Sequence, residues 1–152
     1  MNHGRSLLRL GVTLFLLGLL TGLVVQEMRN PRAGLSAHLE GLMNGMFLMI
    51  AGLAWKELAL GPRAALVTHR LLVFGTFANW ATTTLTALVG TSRATPIAGV
   101  GHGAGPLAEA GVLVLLALVT LAMIGAVSTI AVRLWRGDGP GESPGMSPAS
   151  PP

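Results

Sequence analysis

Apolar positions come in long blocks in this chain, and the charged positions gather between them. Four stretches of residues, about 7–26, 36–55, 71–92 and 109–132, are dominated by Leu, Ala, Val and Gly. Each is close to the ~20 residues that an α-helix needs to cross a hydrocarbon core. A soluble domain would show a one-sided apolar stripe in each helix rather than continuous apolar blocks. The pattern predicts an all-α fold, a four-helix transmembrane bundle over residues 1–136. Residues 137–152 are Gly, Pro and Ser with almost no apolar content, which reads as a disordered tail.

The second block departs from the others. Between Glu40 and Lys56 only the segment Gly41 to Trp55 is free of charge. At about 1.5 Å per residue it covers about 22 Å of a core roughly 30 Å thick. If this block crosses, His38 and Glu40 lie near or within lipid depth. Ionisable groups there are costly and face a partner, a cavity or a cofactor. The helix begins either at Pro31 capped by Asn30 or at Ala37 capped by Ser36; both fit the capping preferences.

The other blocks have their own marks. Arg5 and Arg9 precede the first, as in a signal peptide, but its apolar core is too long and no small-x-small site follows, so it reads as a retained helix. Gly11, Gly18 and Gly22 form a small-residue stripe along it that admits a close helix neighbour. Thr76, Asn79, Thr83 and Thr86 give the third block one polar face. The connection 93–108 alternates Gly99, Gly101, Gly103 and Gly105 around His102. It is not a nucleotide-binding loop, since no strand precedes it and no acidic residue follows at the required spacing.

Composition sharpens this picture. There is no cysteine, which excludes disulfides, iron–sulfur clusters and thiolate zinc sites. The net charge of +4 arises from arginines at block ends, so it sets orientation and does not point to nucleic acid. With four crossings, Arg5, Arg9, Lys56, Arg63, Arg70, Arg133 and Arg136 share one side, against Arg29, Arg32 and Arg93 on the other. Seven against three places both termini in the cytoplasm of a bacterial inner membrane, with His38 toward the outer leaflet.

Several residues are candidates for chemistry. His38 stands at the mouth of a block, and Gly41 and Gly45 follow it on one helix face, leaving room for a flat group against the backbone. A histidine there is either a haem ligand or an interfacial side chain bonded to a neighbouring helix. His3 and His69 read as interfacial and solvated. Asn44 and Asn79 lie within apolar blocks, where an unpaired amide costs a few kcal/mol; they either pair between helices or line a pocket. Glu40 fits three roles: general acid, partner of Arg29 or Arg32, or a first-turn residue favoured by the helix dipole. Arg29 and Arg32 are candidates to hold haem propionates or are orienting charges. Met43, Met46 and Met49 read as packing.

The run from Asn30 to Leu48, NPRAGLSAHLEGLMNGMFL, closely resembles the bacterial hydroxylaminobenzene mutases, as do Phe74 to Trp80, Thr95 to His102 and Leu121 to Ile124. The likeness covers roughly residues 5 to 136. A more distant resemblance is to styrene oxide isomerase, through Ala37, His38, Asn44, Gly45 and Met46 and through Ala78 and Asn79. That likeness implies haem b with His38 as axial ligand, a pocket that includes Asn44 and Asn79, and a homo-oligomer, a trimer by analogy; Thr83 is a candidate to assist the departing oxygen. The isomerase also has an aspartate and a tyrosine in its third helix, where this chain has Gly75 and Thr83.

The implied activity is that of an isomerase, an intramolecular transferase that converts an aryl hydroxylamine to a 2-aminophenol by Lewis-acid cleavage of the N–O bond. The alternatives are an epoxide isomerase and a non-catalytic membrane haem protein or electron carrier. The glycine stripes of the first two blocks are read as contacts between protomers, consistent with an oligomer.

Overall fold

The computed structural model describes residues 2–137. The tail read from residues 137–152 therefore lies, beyond Gly137, outside the described residues. Four helices follow in order: α1 (His3–Leu23), α2 (Pro31–Leu53), α3 (Pro62–Val89) and α4 (Pro106–Arg136). All four are long and apolar enough to cross a membrane, and no strand occurs among the described residues.

Helix ends follow from local chemistry: all four helices start before their apolar blocks, while α1, α2 and α3 end two or three residues before those blocks do. α2, α3 and α4 each begin on a proline, whose fixed φ suits the first helical position and whose missing N–H is not needed there. Asn2 and Asn30 cap α1 and α2 through side-chain oxygens that accept from Arg5 N and Ala33 N. Pro31 is thus the start of α2, which settles the two alternatives and places the polar run of Ser36 to Asn44 well inside the helix. α3 closes on Gly90, whose φ of 78° is a left-handed conformation that a side chain would strain.

The helices pack as a row, α1 on α2, α2 on α3 and α3 on α4, with a lesser contact of α1 on α3. The tightest junction is α1 on α2. A Cβ on Gly18 would stand 2.9 Å from Gly41 Cα, and one on Gly45 would stand 2.6 Å from Phe15 N. Gly4 and Gly52 meet in the same way at the far end, each 2.8 Å short of the other's carbonyl. Close backbone approach brings extensive van der Waals contact, the main source of helix association in lipid. The glycine stripes therefore pack on each other within one chain, which corrects the expectation that they serve contacts between protomers.

Leu7, Leu14, Leu48 and Leu72, none of them exposed, form the core with Ala51 and Ala126. Of the helices, α4 packs on α3 alone, where Met123 Sδ occupies the space beside Gly75. Much of α4 is apolar and uncovered, from Leu113 through Leu121 to Leu134, as expected of a helix bathed in lipid.

Candidate functional site

Two flanks of α2 carry its polar side chains. On one flank His38 turns to α1, with Nδ1 2.8 Å from the Gly18 carbonyl oxygen. A carbonyl only accepts, so Nδ1 carries the proton and Nε2 keeps its lone pair. The ring lies where a side chain on Gly22 would be, 2.6 Å from that missing Cβ. Nε2 has no hydrogen-bond partner among the described residues. Only His3 Nδ1 is both buried and unpartnered there, so Nε2 is open to the surroundings of the bundle. The bond to α1 is what an interfacial histidine makes, and with Nε2 open the same arrangement is also able to ligate a metal.

On the other flank Glu40 turns to α3. Its Oε2 accepts from the Thr83 hydroxyl at 2.7 Å. Glu40 is the tenth residue of α2, about 14 Å along it. It is not a first-turn residue, and its hydrogen-bond partner is a hydroxyl rather than Arg29 or Arg32. A turn further, Asn44 Nδ2 reaches the Thr76 carbonyl at 3.5 Å, the long edge of hydrogen bonding. Thr76, Thr83 and Thr86 are buried, so the polar face of α3 turns inward. Asn79 is half-buried and makes no hydrogen bond among the described residues. Trp80 donates to the Thr21 hydroxyl at 3.1 Å and covers Gly41, joining α1 to α3.

Gly41 and Gly45 do not provide the open surface expected of them. α1 fills the space above both, with Gly18 Cα 2.5 Å from where a Gly41 Cβ would stand. Any flat group at His38 lies beside this junction and not on it. The uncovered face of α2 is instead the apolar strip Leu35, Leu39, Met43 and Met46. His38 and Glu40 border that strip from opposite sides, two residues and about 200° apart around the helix.

Above the strip, an open groove of about 540 Å³ is lined by Arg32, Ser36 and the loop from Thr95 to Ala98. Arg32 is exposed there. Arg29 is engaged elsewhere, donating to the Val89 carbonyl at 2.9 Å and to Gly103 at 3.4 Å. The glycine-rich connection is held firmly. Asn30, fully buried, donates from Nδ2 to the Ala98 carbonyl, and His102 Nε2 lies 2.9 Å from the Arg29 carbonyl oxygen. Glu109 accepts from the backbone N–H groups of Ser92, Arg93 and Ala104.

At the opposite end, His3 and His69 are not separate solvated side chains. Their rings lie 4.9 Å apart against Trp55, and His69 Nε2 is 3.2 Å from the Ser6 hydroxyl. Among the described residues, no three His, Cys, Asp or Glu side chains come together as a metal site.

Sequence reasoning missed the Glu40–Thr83 pair and the tie from Asn30 to the loop. A signal for the first was present: Arg32, Ser36, Glu40 and Asn44 recur every four residues, a polar stripe running down α2 from the groove to α3. Nothing local foretold that Asn30 reaches Ala98, 68 positions away.

Four membrane-length helices with an imidazole, a carboxyl and an amide inside the second define a multi-pass membrane protein with a polar site set within its membrane-crossing part. The chain belongs to the styrene oxide isomerase family, whose model matches residues 3–135. It is 48% identical over 132 residues to hydroxylaminobenzene mutase HabB of Ectopseudomonas oleovorans, covering 86% of this chain and 79% of that one. It is 43% identical over 127 residues to hydroxylaminobenzene mutase HabA of the same organism, covering 83% and 94%. No solved structure matches significantly.

Proposed function

We propose that this protein is a mutase of the bacterial inner membrane that rearranges an aryl hydroxylamine to a 2-aminophenol, with haem b held by His38. The carrying observation is the His38 ring, fixed through Nδ1 by the Gly18 carbonyl with Nε2 left open. Both relatives are hydroxylaminobenzene mutases by name. The donor set fits a porphyrin iron, which a single histidine would hold, whereas a bare metal ion needs several protein ligands.

Haem iron held by His38 would supply a Lewis acid toward the N–O bond. The chain's own residues do the rest. Leu35, Leu39, Met43 and Met46 give the aromatic ring an apolar bed and keep water from competing for the ring carbon. Asn44 and Asn79 supply polar groups beside that bed for the departing oxygen, and Thr83, whose hydroxyl donates to Glu40, assists only through that carboxylate. Arg32, exposed at the groove, is placed to meet a propionate; Arg29 takes that role only by giving up its two carbonyls.

The strip bordered by His38 and Glu40 is uncovered in a single chain. A second copy seated on it encloses the site, which is the ground for a homo-oligomer, a trimer by resemblance. Both termini face the cytoplasm by the count of basic residues.

A second reading, epoxide isomerisation, is favoured by the family's own name. It is weakened at Gly75, where the resemblance to the isomerase calls for an aspartate. Met123 Sδ stands 2.5 Å from any Cβ there, so this position is closed by α4.

The test assays purified, haem-loaded protein with N-phenylhydroxylamine and styrene oxide side by side. Formation of 2-aminophenol with a one-histidine, high-spin ferric spectrum is expected. Phenylacetaldehyde without 2-aminophenol supports the second reading, and a bis-histidine spectrum with neither product supports an electron carrier.

A further inference from the structure

We propose that Glu40 is the proton-transfer group of this rearrangement, held in place by Thr83. The inference rests on the mutase reading and asks what that reaction needs besides N–O cleavage. Breaking the N–O bond and forming a C–O bond at the ortho carbon leaves that carbon bearing both hydrogen and oxygen, and leaves the nitrogen as an imine. Aromaticity returns when the C–H proton goes to a base and a proton reaches the nitrogen. The C–H electron pair then closes the ring system and the imine π pair takes up the proton. Atoms and electrons balance without an oxidant or reductant. One carboxylate that accepts the proton from carbon and hands it to nitrogen completes the step.

Glu40 is the carboxylate placed for this. Thr83 occupies Oε2 at 2.7 Å, while Oε1 has no hydrogen-bond partner among the described residues and is not sealed from its surroundings. The carboxylate is therefore oriented on one oxygen and free on the other. It borders the apolar strip on which the ring would lie, across from His38. The other carboxylates among the described residues are elsewhere: Glu27 and Glu57 are exposed at helix ends, and Glu109 is bound by backbone amides of the loop. His38 Nδ1 is engaged by Gly18.

The approach to Glu40 is also built. Ser36 and Arg32 stand one and two turns above it on the same stripe and line the groove of about 540 Å³. That volume lies within the range of small-molecule sites and exceeds a single aromatic ring. A one-ring hydroxylamine entering there slides its apolar face down Leu39 and Met43 and brings its nitrogen and ortho carbon to the carboxylate. The assignment names the substrate class as single-ring aryl hydroxylamines with at least one ortho hydrogen.

The experiment uses full-length haem-loaded protein with N-phenylhydroxylamine and its 2,6-dideuterated form. Glu40→Gln is expected to lower kcat about 100-fold or more, the usual scale of a lost acid–base group, with KM and haem absorbance kept. A primary deuterium isotope effect on kcat, larger than that of the unaltered protein, should accompany it. Glu40→Ala should regain turnover when formate is added.

Glu40→Gln turning over at the unaltered rate would overturn the assignment. So would a loss of rate with neither an isotope effect nor formate rescue, which marks a merely structural role. If the Gln variant does not insert, Glu40→Ala gives the same reading: a reduced kcat that formate restores supports the assignment, an unaltered kcat ends it. Should the unaltered protein make no 2-aminophenol, the mutase reading itself fails, an outcome distinct from a Glu40 variant that is as fast as its parent.

Discussion

His38 Nδ1 lies 2.8 Å from the carbonyl oxygen of Gly18, and it reaches that atom because Gly22, one turn on, has no side chain to bar the ring. A glycine on α1 thus sets the tautomer and direction of a histidine on α2. The imidazole is fixed by close backbone packing as well as by its own hydrogen bond, and α1 becomes part of the site without contributing a side chain to it.

His38→Ala should abolish the haem absorption band of the purified protein and its turnover of N-phenylhydroxylamine, while membrane insertion is kept. Gly22→Val should act in the same direction. Its Cβ alone would stand 2.6–3.2 Å from three atoms of the ring and force it off the Gly18 carbonyl. Haem-to-protein ratios check both, and full haem loading in the Ala variant would rule out His38 as the ligand.

Gly41→Ala probes the junction that the site is built on. The new methyl meets Gly18 Cα at 2.5 Å, a backbone atom that cannot rotate away. Overpacking of this kind costs about 1–3 kcal/mol, read as a lower thermal midpoint in detergent. Gly111→Ala is the control: nothing lies within 4 Å of that position, and the helix gains about 1 kcal/mol of propensity. Equal midpoints for the two variants would show that α1 and α2 do not pack this closely.

The all-helical class and the four crossings were legible because membrane length leaves a strong mark, a block of about 20 apolar residues. The family was legible too, in the run from Asn30 to Leu48. Pro31 was one of two starts the capping residues allowed, whereas Pro62 and Pro106 start helices three to nine residues before the apolar blocks do, since a helix outlasts the hydrocarbon it crosses. Glycine partners were misassigned for a different reason. Gly18 and Gly41 announce a close neighbour, but spacing along one helix does not say whether that neighbour is in the same chain. Glu40 was hardest. Its residue type suits several roles, and only the placement of Thr83, 43 positions away, chooses among them.

Asn44→Ala separates pocket from scaffold. The amide's bond to the Thr76 carbonyl is long at 3.5 Å, so its loss should cost about 1 kcal/mol or less and leave haem content near normal. The rate of aminophenol formation should fall more than haem content does. Loss of haem in step with activity would instead make Asn44 a structural residue.

Asn30→Ala tests whether the groove depends on the loop being tied down. Asn30 does two jobs from a fully buried position. Its Oδ1 accepts from Ala33 N at the head of α2, and its Nδ2 donates to the Ala98 carbonyl at the groove wall. Loss of a cap costs about 1 kcal/mol, and loss of the part-buried bond to the Ala98 carbonyl about 0.5–1.5 kcal/mol more. The thermal midpoint should therefore drop further than for Asn44→Ala. The Thr95–Ala98 wall loses its tether to α2 while His38, Glu40 and Thr83 keep theirs. KM for the hydroxylamine should rise with kcat changed little, and amide hydrogen exchange should quicken across residues 95–98. Unchanged KM with faster exchange there would show that substrate does not enter through this groove.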